Sequence, residues 1–187
     1  QQAVFAEGQI VVEIAGTVVG SIATLIVPSA VAMAPHTWSS VTSHGTFASH
    51  VSSSAPHQEE RCLYLADIYV DPNARGRGIG AVLYDALFRL SERKRLARVV
   101  AGGRLWGYHE VAEEMTPAEY VDQVIRGERR DRVLTSQLRA GFVVRGILDG
   151  YLDDWRSHSY ATHLVRETTL NRGVITSAPF ARSLERS

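Results

Sequence analysis

Apolar and polar positions divide the chain into runs of two different periods. Gln9–Ile14 and residues 17–27 are strand-like runs on either side of Ala15-Gly16, where a glycine suits a hairpin turn. Leu63-Tyr64-Leu65-Ala66-Asp67-Ile68-Tyr69-Val70 is a third strand-like run, rich in aromatic and β-branched residues. Asp71-Pro72-Asn73 interrupts it, because proline fixes φ and lacks the ladder donor. The period then changes: Ile79, Val82, Leu83, Ala86, Leu87 and Leu90 fall on one face of a helix. Residues 98–101 read as a short buried strand, parallel to the third because a helix connects them, and ended by Gly102-Gly103. Thr116-Pro117-Ala118-Glu119 combines an N-cap, a first-turn proline and a capping glutamate. Tyr120, Val121, Val124 and Ile125 give that helix its apolar face, and Gly127 suits its end. Asp131 can cap a further helix ending at Ala140. Residues 142–148 and 160–166 read as the last two strands, with an acidic loop through Asp149, Asp153 and Asp154 between them.

The stretch from the third strand into its helix carries the chemistry. Asp71-Pro72-Asn73-Ala74-Arg75-Gly76-Arg77-Gly78-Ile79-Gly80 places a glycine-arginine loop between a strand and a helix N-terminus. Free amides, close approach at glycine and the helix dipole together favour a phosphate-bearing ligand. The spacing is not that of a nucleotide-hydrolase loop, since no Lys-Ser or Lys-Thr follows the glycines. It is also G-x-G-x-G rather than G-x-G-x-x-G. Val99-Val100-Ala101-Gly102 stands where a dinucleotide fold has its acidic residue.

Composition narrows the partners. At 187 residues the chain is expected to form one domain. Twenty Lys and Arg balance twenty Asp and Glu, so no global field draws it to nucleic acid or membrane. Cys62 is the single cysteine and permits no internal disulfide. No apolar run is long enough to span a membrane and no signal-peptide pattern opens the sequence, so a cytoplasmic location is expected. The opening Gln1-Gln2 suggests a start inside a larger polypeptide.

Residues 28–60 lack a period and are rich in Ser, Thr, His and Ala, which reads as a long surface loop, functional or mobile, with covering the substrate as one role open to it. His36, His44, His50 and His57 lie there, at spacings that match no compact metal-ligand pattern, so no metal is expected.

Arg75-Gly76-Arg77-Gly78-Ile79-Gly80 resembles the [Q/R]-x-x-G-x-[G/A] signature of the GNAT superfamily of acyl-CoA-dependent N-acyltransferases, and the strand, breaker and helix around it fall where that family has them. Leu138-Arg139-Ala140-Gly141-Phe142 resembles the family's late helix-strand ending. Gly107-Tyr108-His109 and Glu119-Tyr120-Val121 resemble a subgroup found alone or fused to a nitrilase-like carbon–nitrogen hydrolase.

The resemblance implies an α/β (α+β) fold: a mixed, mostly antiparallel sheet with a splayed parallel strand pair, lacking the family's first strand and first two helices. It implies a domain over residues 1–166, with residues 105–130 as an inserted helical segment and 167–187 as a polar tail. Acetyl-CoA is then the expected co-substrate. Its pantetheine would lie along Ile68, Tyr69 and Val70, and its pyrophosphate on Arg75, Gly76, Arg77, Gly78, Ile79, Gly80 and Ala81. The Ile68 backbone N–H is the implied oxyanion donor.

The sequence departs from the family where proton transfer is usually placed. Tyr64 replaces a base glutamate found in some members, and Gln137 stands where many carry a tyrosine acid. Asp67, Tyr108 and His109 are the remaining candidates, each with an alternative as an ion-pairing, packing or surface residue. The resulting expectation is an N-acetyltransferase acting on a small-molecule amine, as a homodimer or with a fused or partner enzyme. The alternatives are a non-catalytic acyl-CoA-binding regulatory module and a generic phosphate-binding α/β domain.

Overall fold

A computed structural model describes residues 4–51 and 60–168. His57, the stretch Ser52-Ser53-Ser54 and nearly all of the expected polar tail lie outside the described residues.

Six strands form one sheet in the order β1-β2-β3-β4-β6-β5. They are β1 (Gln9–Ile14), β2 (Thr17–Pro28), β3 (Arg61–Val70), β4 (Arg98–Arg104), β5 (Val143–Leu148) and β6 (Ala161–Glu167). Every pairing is antiparallel except β3 with β4, which the helix between them forces to run parallel. β3 is central, and its first half, Cys62, Leu63, Tyr64 and Leu65, is buried on both faces. That is why it reads as an unbroken apolar run rather than an alternation.

The helices divide between the two faces. α3 (Ile79–Arg93) packs on one face with α4 (Pro117–Arg126) and α5 (Leu134–Arg139) beside it. Leu83, Leu87 and Leu90 of α3 are fully buried, each contributing about 2 kcal/mol of hydrophobic stabilisation. Val82 and Ile125, both expected on buried faces, are instead 57% and 49% exposed, because they flank the contact stripe rather than occupy it. The other face is covered by two short helices in the β2–β3 connection, α1 (Ser29–Met33) and α2 (Trp38–Thr42). These replace the structureless loop expected from the composition. A reciprocal capping box starts α2: Ser40 N donates to Thr37 Oγ1 and Thr37 N to Ser40 Oγ, both at 3.1 Å.

One further expectation is corrected and another is extended. The pair Gly102-Gly103 does not end β4, which pairs with β6 through Arg104. Neighbouring side chains, Tyr151 over Gly102 and Gln137 over Gly103, occupy the space that side chains would take there. Asp131 caps the segment entering α5 as expected, two residues ahead of the bounding residue Val133, and its carbonyl accepts from Thr135 N at 3.0 Å. It is a buried hub: Oδ1 accepts from Val133 N and Leu134 N at 2.7 Å, and Oδ2 from Gly107 N at 3.0 Å and Tyr120 Oη at 2.8 Å. Four donors satisfy this carboxylate and tie the segment around Gly107 to α4 and the start of α5.

Candidate active site

The parallel ladder is short. β3 and β4 pair from Cys62↔Arg98 to Leu65↔Ala101 and then part. Where they part, β3 is irregular: Ala23 faces Asp67 and Thr24 faces Leu65, leaving Ala66 as the extra residue of a bulge. The bulge reverses the alternation, so Leu63 and Leu65 before it and Ile68 and Val70 after it all pack toward the α3 face.

Two cavities meet at this split. The first, about 820 Å³, is lined by the end of β3, the glycine loop, α3 and the start of α5. Gly76 and Gly78 have φ of +77° and +79°, a region costly for any residue with a Cβ. A Cβ at Gly76, Gly78 or Gly80 would meet nothing within 4 Å, so the loop is open on its outer side. Asp71 fixes the loop's entry by accepting from Asn73 N at 2.7 Å. Among the described residues, six arginines line the cavity, Arg75, Arg104, Arg130, Arg132, Arg139 and Arg166, against one carboxylate, Asp85, which pairs with Arg89 at 2.8 Å. The first cavity is built for an anion, at a helix N-terminus whose dipole has the right sign.

Of the residues expected to hold the co-substrate, Ile68, Tyr69, Val70, Arg75, Gly76, Gly78, Ile79, Gly80 and Ala81 line this cavity. Arg77 does not. Ala81 contributes wall only, because its N–H donates to Gly78 O at 3.0 Å within the first helical turn.

The second cavity, about 390 Å³, lies across the split and shares Ile68, Arg104 and Val133 with the first. Its wall is mostly apolar, with Asp67 as the one carboxylate lining it among the described residues. Trp38 bridges its rim: the indole Nε1 donates to Ala66 O at 2.9 Å, and the backbone N donates to Tyr151 O at 2.8 Å. The β2–β3 connection therefore supplies a wall through Trp38 and Phe47. Gln137 also lines this cavity. Its side chain is 2% exposed, and its Oε1 is buried without a hydrogen-bond partner, an acceptor left open at the split.

Tyr108 and His109 line neither cavity. Tyr108 is core, with its hydroxyl donating to Met115 O at 2.9 Å and its ring edge-on to Tyr120 and Tyr160. His109 packs against Trp155, ring centroids 4.8 Å apart. Both follow β4 in sequence, but the chain turns away from the split immediately after it.

Tyr151, which the sequence did not single out, stands at the second cavity, with Tyr64 and His36 behind it. Tyr151 lines it and donates or accepts a 2.9 Å hydrogen bond with Tyr64 Oη, which in turn is 2.9 Å from His36 Nε2. Burial pushes the Tyr151 hydroxyl up to about 12 and Tyr64 well above the ordinary tyrosine value, so both stay protonated near neutrality. Burial also lowers His36 below the ordinary histidine value, keeping it neutral. Nothing in the local sequence around Tyr151 signals this role. Among the described residues, no group of three or more His, Cys, Asp or Glu is placed to hold a metal ion, and no helix is long and apolar enough to cross a membrane.

Residues 2–109 match the acetyltransferase (GNAT) family. The chain is 35% identical over 156 residues to the uncharacterized N-acetyltransferase YkwB of Bacillus subtilis, covering 83% of this chain and 66% of that protein. It is 37% identical over 159 residues to the probable hydrolase YhcX of the same organism, covering 84% of this chain but only 30% of the relative. Among solved structures, the GNAT-like decarboxylase GphF in complex with isobutyryl-CoA superposes with a TM-score of 0.71 at 22% identity, over 89% of this chain and 80% of that one. At that identity the likeness is one of fold.

Proposed function

The chain belongs to the GNAT acetyltransferase family, a family of acyl-CoA-dependent acyl transfer, and from that premise we propose that it moves an acetyl group from acetyl-CoA to the amine of a small acceptor. The observation that carries this reading is the parting of β3 and β4 after Leu65↔Ala101, where an arginine-walled cavity opens into an apolar one. Each cavity suits one substrate.

The donor fits the first cavity. Its pyrophosphate would rest on the backbone of Arg75, Gly76, Gly78, Ile79 and Gly80, with Arg130, Arg132, Arg139 and Arg166 neutralising the phosphate charges. Its pantetheine amides would pair with the open β4-side edge of 68–70, as an added strand would, while β2 holds the other edge. Gln137 Oε1, unpartnered at the split, adds one acceptor for a donor N–H.

The thioester supplies an acyl carbon activated toward attack by a neutral amine. Ile68 faces both cavities, and its backbone N–H is the donor assigned to the developing oxyanion. Asp67, on the wall of the second cavity, attracts the cationic form of the acceptor and orients it. Trp38 and Phe47 exclude water from the reacting atoms, which strengthens both electrostatic contacts.

Calorimetric titration with acetyl-CoA, followed by a thiol-release assay over a panel of small amines, tests the reading. Amine-dependent thiol release is the expected result. Binding without release would favour a non-catalytic acyl-CoA-binding module, and no binding would overturn both. Adding a carboxyacyl-CoA to the donor panel separates transfer from decarboxylation, the activity in the name of the structurally similar protein.

A further inference from the structure

The sheet face beneath α1 and α2 is made largely of Leu25, Val27, Cys62, Val100 and Val165, with Val41 and Phe47 packed over it, and a line of polar atoms crosses this apolar layer. That line starts at Tyr151 on the wall of the second cavity and ends at His36, which is half-buried and in contact with solvent. We propose that Tyr151, Tyr64 and His36 form a proton relay that takes the ammonium proton of the acceptor out of the second cavity and hands it to water. The proposal rests on the transferase reading above.

The hydrogen-bond directions follow from the partners. His36 Nδ1 is 2.8 Å from the carbonyl oxygen of Ala34, which can only accept, so Nδ1 carries the hydrogen of the neutral ring. Nε2 is then bare and accepts from Tyr64 O–H at 2.9 Å. With its proton committed to His36, the Tyr64 oxygen accepts from Tyr151 O–H at 2.9 Å. Every donor in the chain points from the cavity toward His36. The Tyr151 oxygen also hydrogen-bonds the Gly102 backbone, and its remaining acceptor capacity is what takes a proton from the cavity it lines.

Burial argues that the line has a purpose. Tyr64 is 0% exposed and Tyr151 3% exposed, and phenylalanine would fill the same space with no hydroxyl to satisfy. The Tyr151 ring occupies the place of a side chain at Gly102, the first β4 residue beyond the ladder, which holds it against the split. Thr37 and Ser40 hold His36 from the other end by capping α2.

The groups facing the chain leave it free to work near neutrality. His163 of β6 stands edge-on to His36 with ring centroids 5.4 Å apart, and its Nε2 donates to Ala32 O at 2.9 Å. Burial, His36 and Arg145 hold His163 below the ordinary histidine value, so it adds no positive charge. Cys62 beside Tyr64 is pushed up to about 12 and stays protonated. Arg104 and Asp67 act on Tyr151 from the split, with opposite signs.

The step balances. One N–H bond of the acceptor ammonium breaks as its proton passes to Tyr151, that of Tyr151 to Tyr64 and that of Tyr64 to His36 Nε2. The freed nitrogen lone pair forms the C–N bond, the C–S bond breaks, and a second amine proton ends on the thiolate. His36 then releases its extra proton to water. In sum, ammonium and acyl thioester give amide, thiol and one proton.

The test is the pH–rate profile of thiol release from acetyl-CoA, using the amine that the wild-type chain turns over fastest. It is measured for wild type, Tyr151→Phe, Tyr64→Phe and His36→Ala, with thermal melts to confirm folding. We expect kcat to fall about 100-fold in each variant, the range of a lost general base, with the dissociation constant for acetyl-CoA unchanged. The wild-type acid limb, below the ordinary histidine pKa of 6.5, is lost in His36→Ala, and added imidazole restores that variant but not Tyr64→Phe. Wild-type kcat and pH profile in both tyrosine variants would overturn the relay alone. So would a loss of turnover that leaves the pH profile unmoved. No amine-dependent release by the wild-type chain would overturn the transferase reading and the relay with it.

Discussion

The first cavity draws the core of its wall from one contiguous stretch, 68–88, whereas the second collects single residues from across the chain: Ala23, Trp38, Phe47, Ala66, Gly102, Gln137 and Tyr151. The first depends on backbone conformation and charge, which survive most side-chain changes. The second depends on side chains held by long-range hydrogen bonds, such as Trp38 to Ala66 and to the Tyr151 backbone. A site of the first kind can keep its ligand while a site of the second kind changes its own. The two cavities are therefore expected to respond to different substitutions.

The largest expected effect lies in the loop. Gly78→Asp forces a Cβ into a positive-φ conformation, costing about 1–2 kcal/mol, and places an anion beside the phosphates. Acetyl-CoA affinity should fall at least about 100-fold, or ~3 kcal/mol, by calorimetry. The fold should survive, since a Cβ at Gly78 meets nothing. Undiminished affinity would break the assignment of the first cavity to the donor.

Asp131→Ala tests the element the cavities share. Removing this buried carboxylate leaves four donors unpaired and frees the segment that places Val133 on both walls. Stability should drop by about 3 kcal/mol in urea titration, with both substrates affected. An effect on one cavity alone would show that they are more independent than their common wall implies.

Trp38→Ala sharpens the contrast from the other side. It removes the indole bond to Ala66 O and one wall of the second cavity, at about 2 kcal/mol of stability. Acetyl-CoA affinity should stay within twofold while the KM for the amine rises about tenfold in the thiol-release assay.

The smallest effect is one of pH. His36, His50 and His163 all have pKa values lowered by burial, so the unfolded chain binds more protons than the native one as pH falls below the ordinary value of 6.5. Stability is then full above that value and declines below it. The melting temperature should decrease from pH 7.5 to pH 5.5, and His36→Gln should flatten the decline.

The strand-loop-helix unit was legible because each of its causes is local. Proline at 72, glycines at 76 and 78 and the apolar period from Ile79 to Leu90 act within a few residues of themselves. The strands and the capping box at Thr116 were legible for the same reason. Tyr108 and His109 were misplaced because sequence adjacency to β4 says nothing about which way the chain turns at Gly107. The cover over the second cavity was read as loop because α1 and α2 are five residues each, too short to show a period.

The sequence by itself determined an anion cradle on a strand-loop-helix unit and the family it belongs to, because φ at glycine, proline punctuation and helical period are properties of neighbouring residues. Only the tertiary structure decided what faces that cradle across the split. The contacts that build the second cavity and its hydrogen-bonded line join Tyr64 to His36 and to Tyr151, 28 and 87 residues apart. No local pattern records such pairs, since they come together only when β3, β4 and the β5–β6 connection have packed.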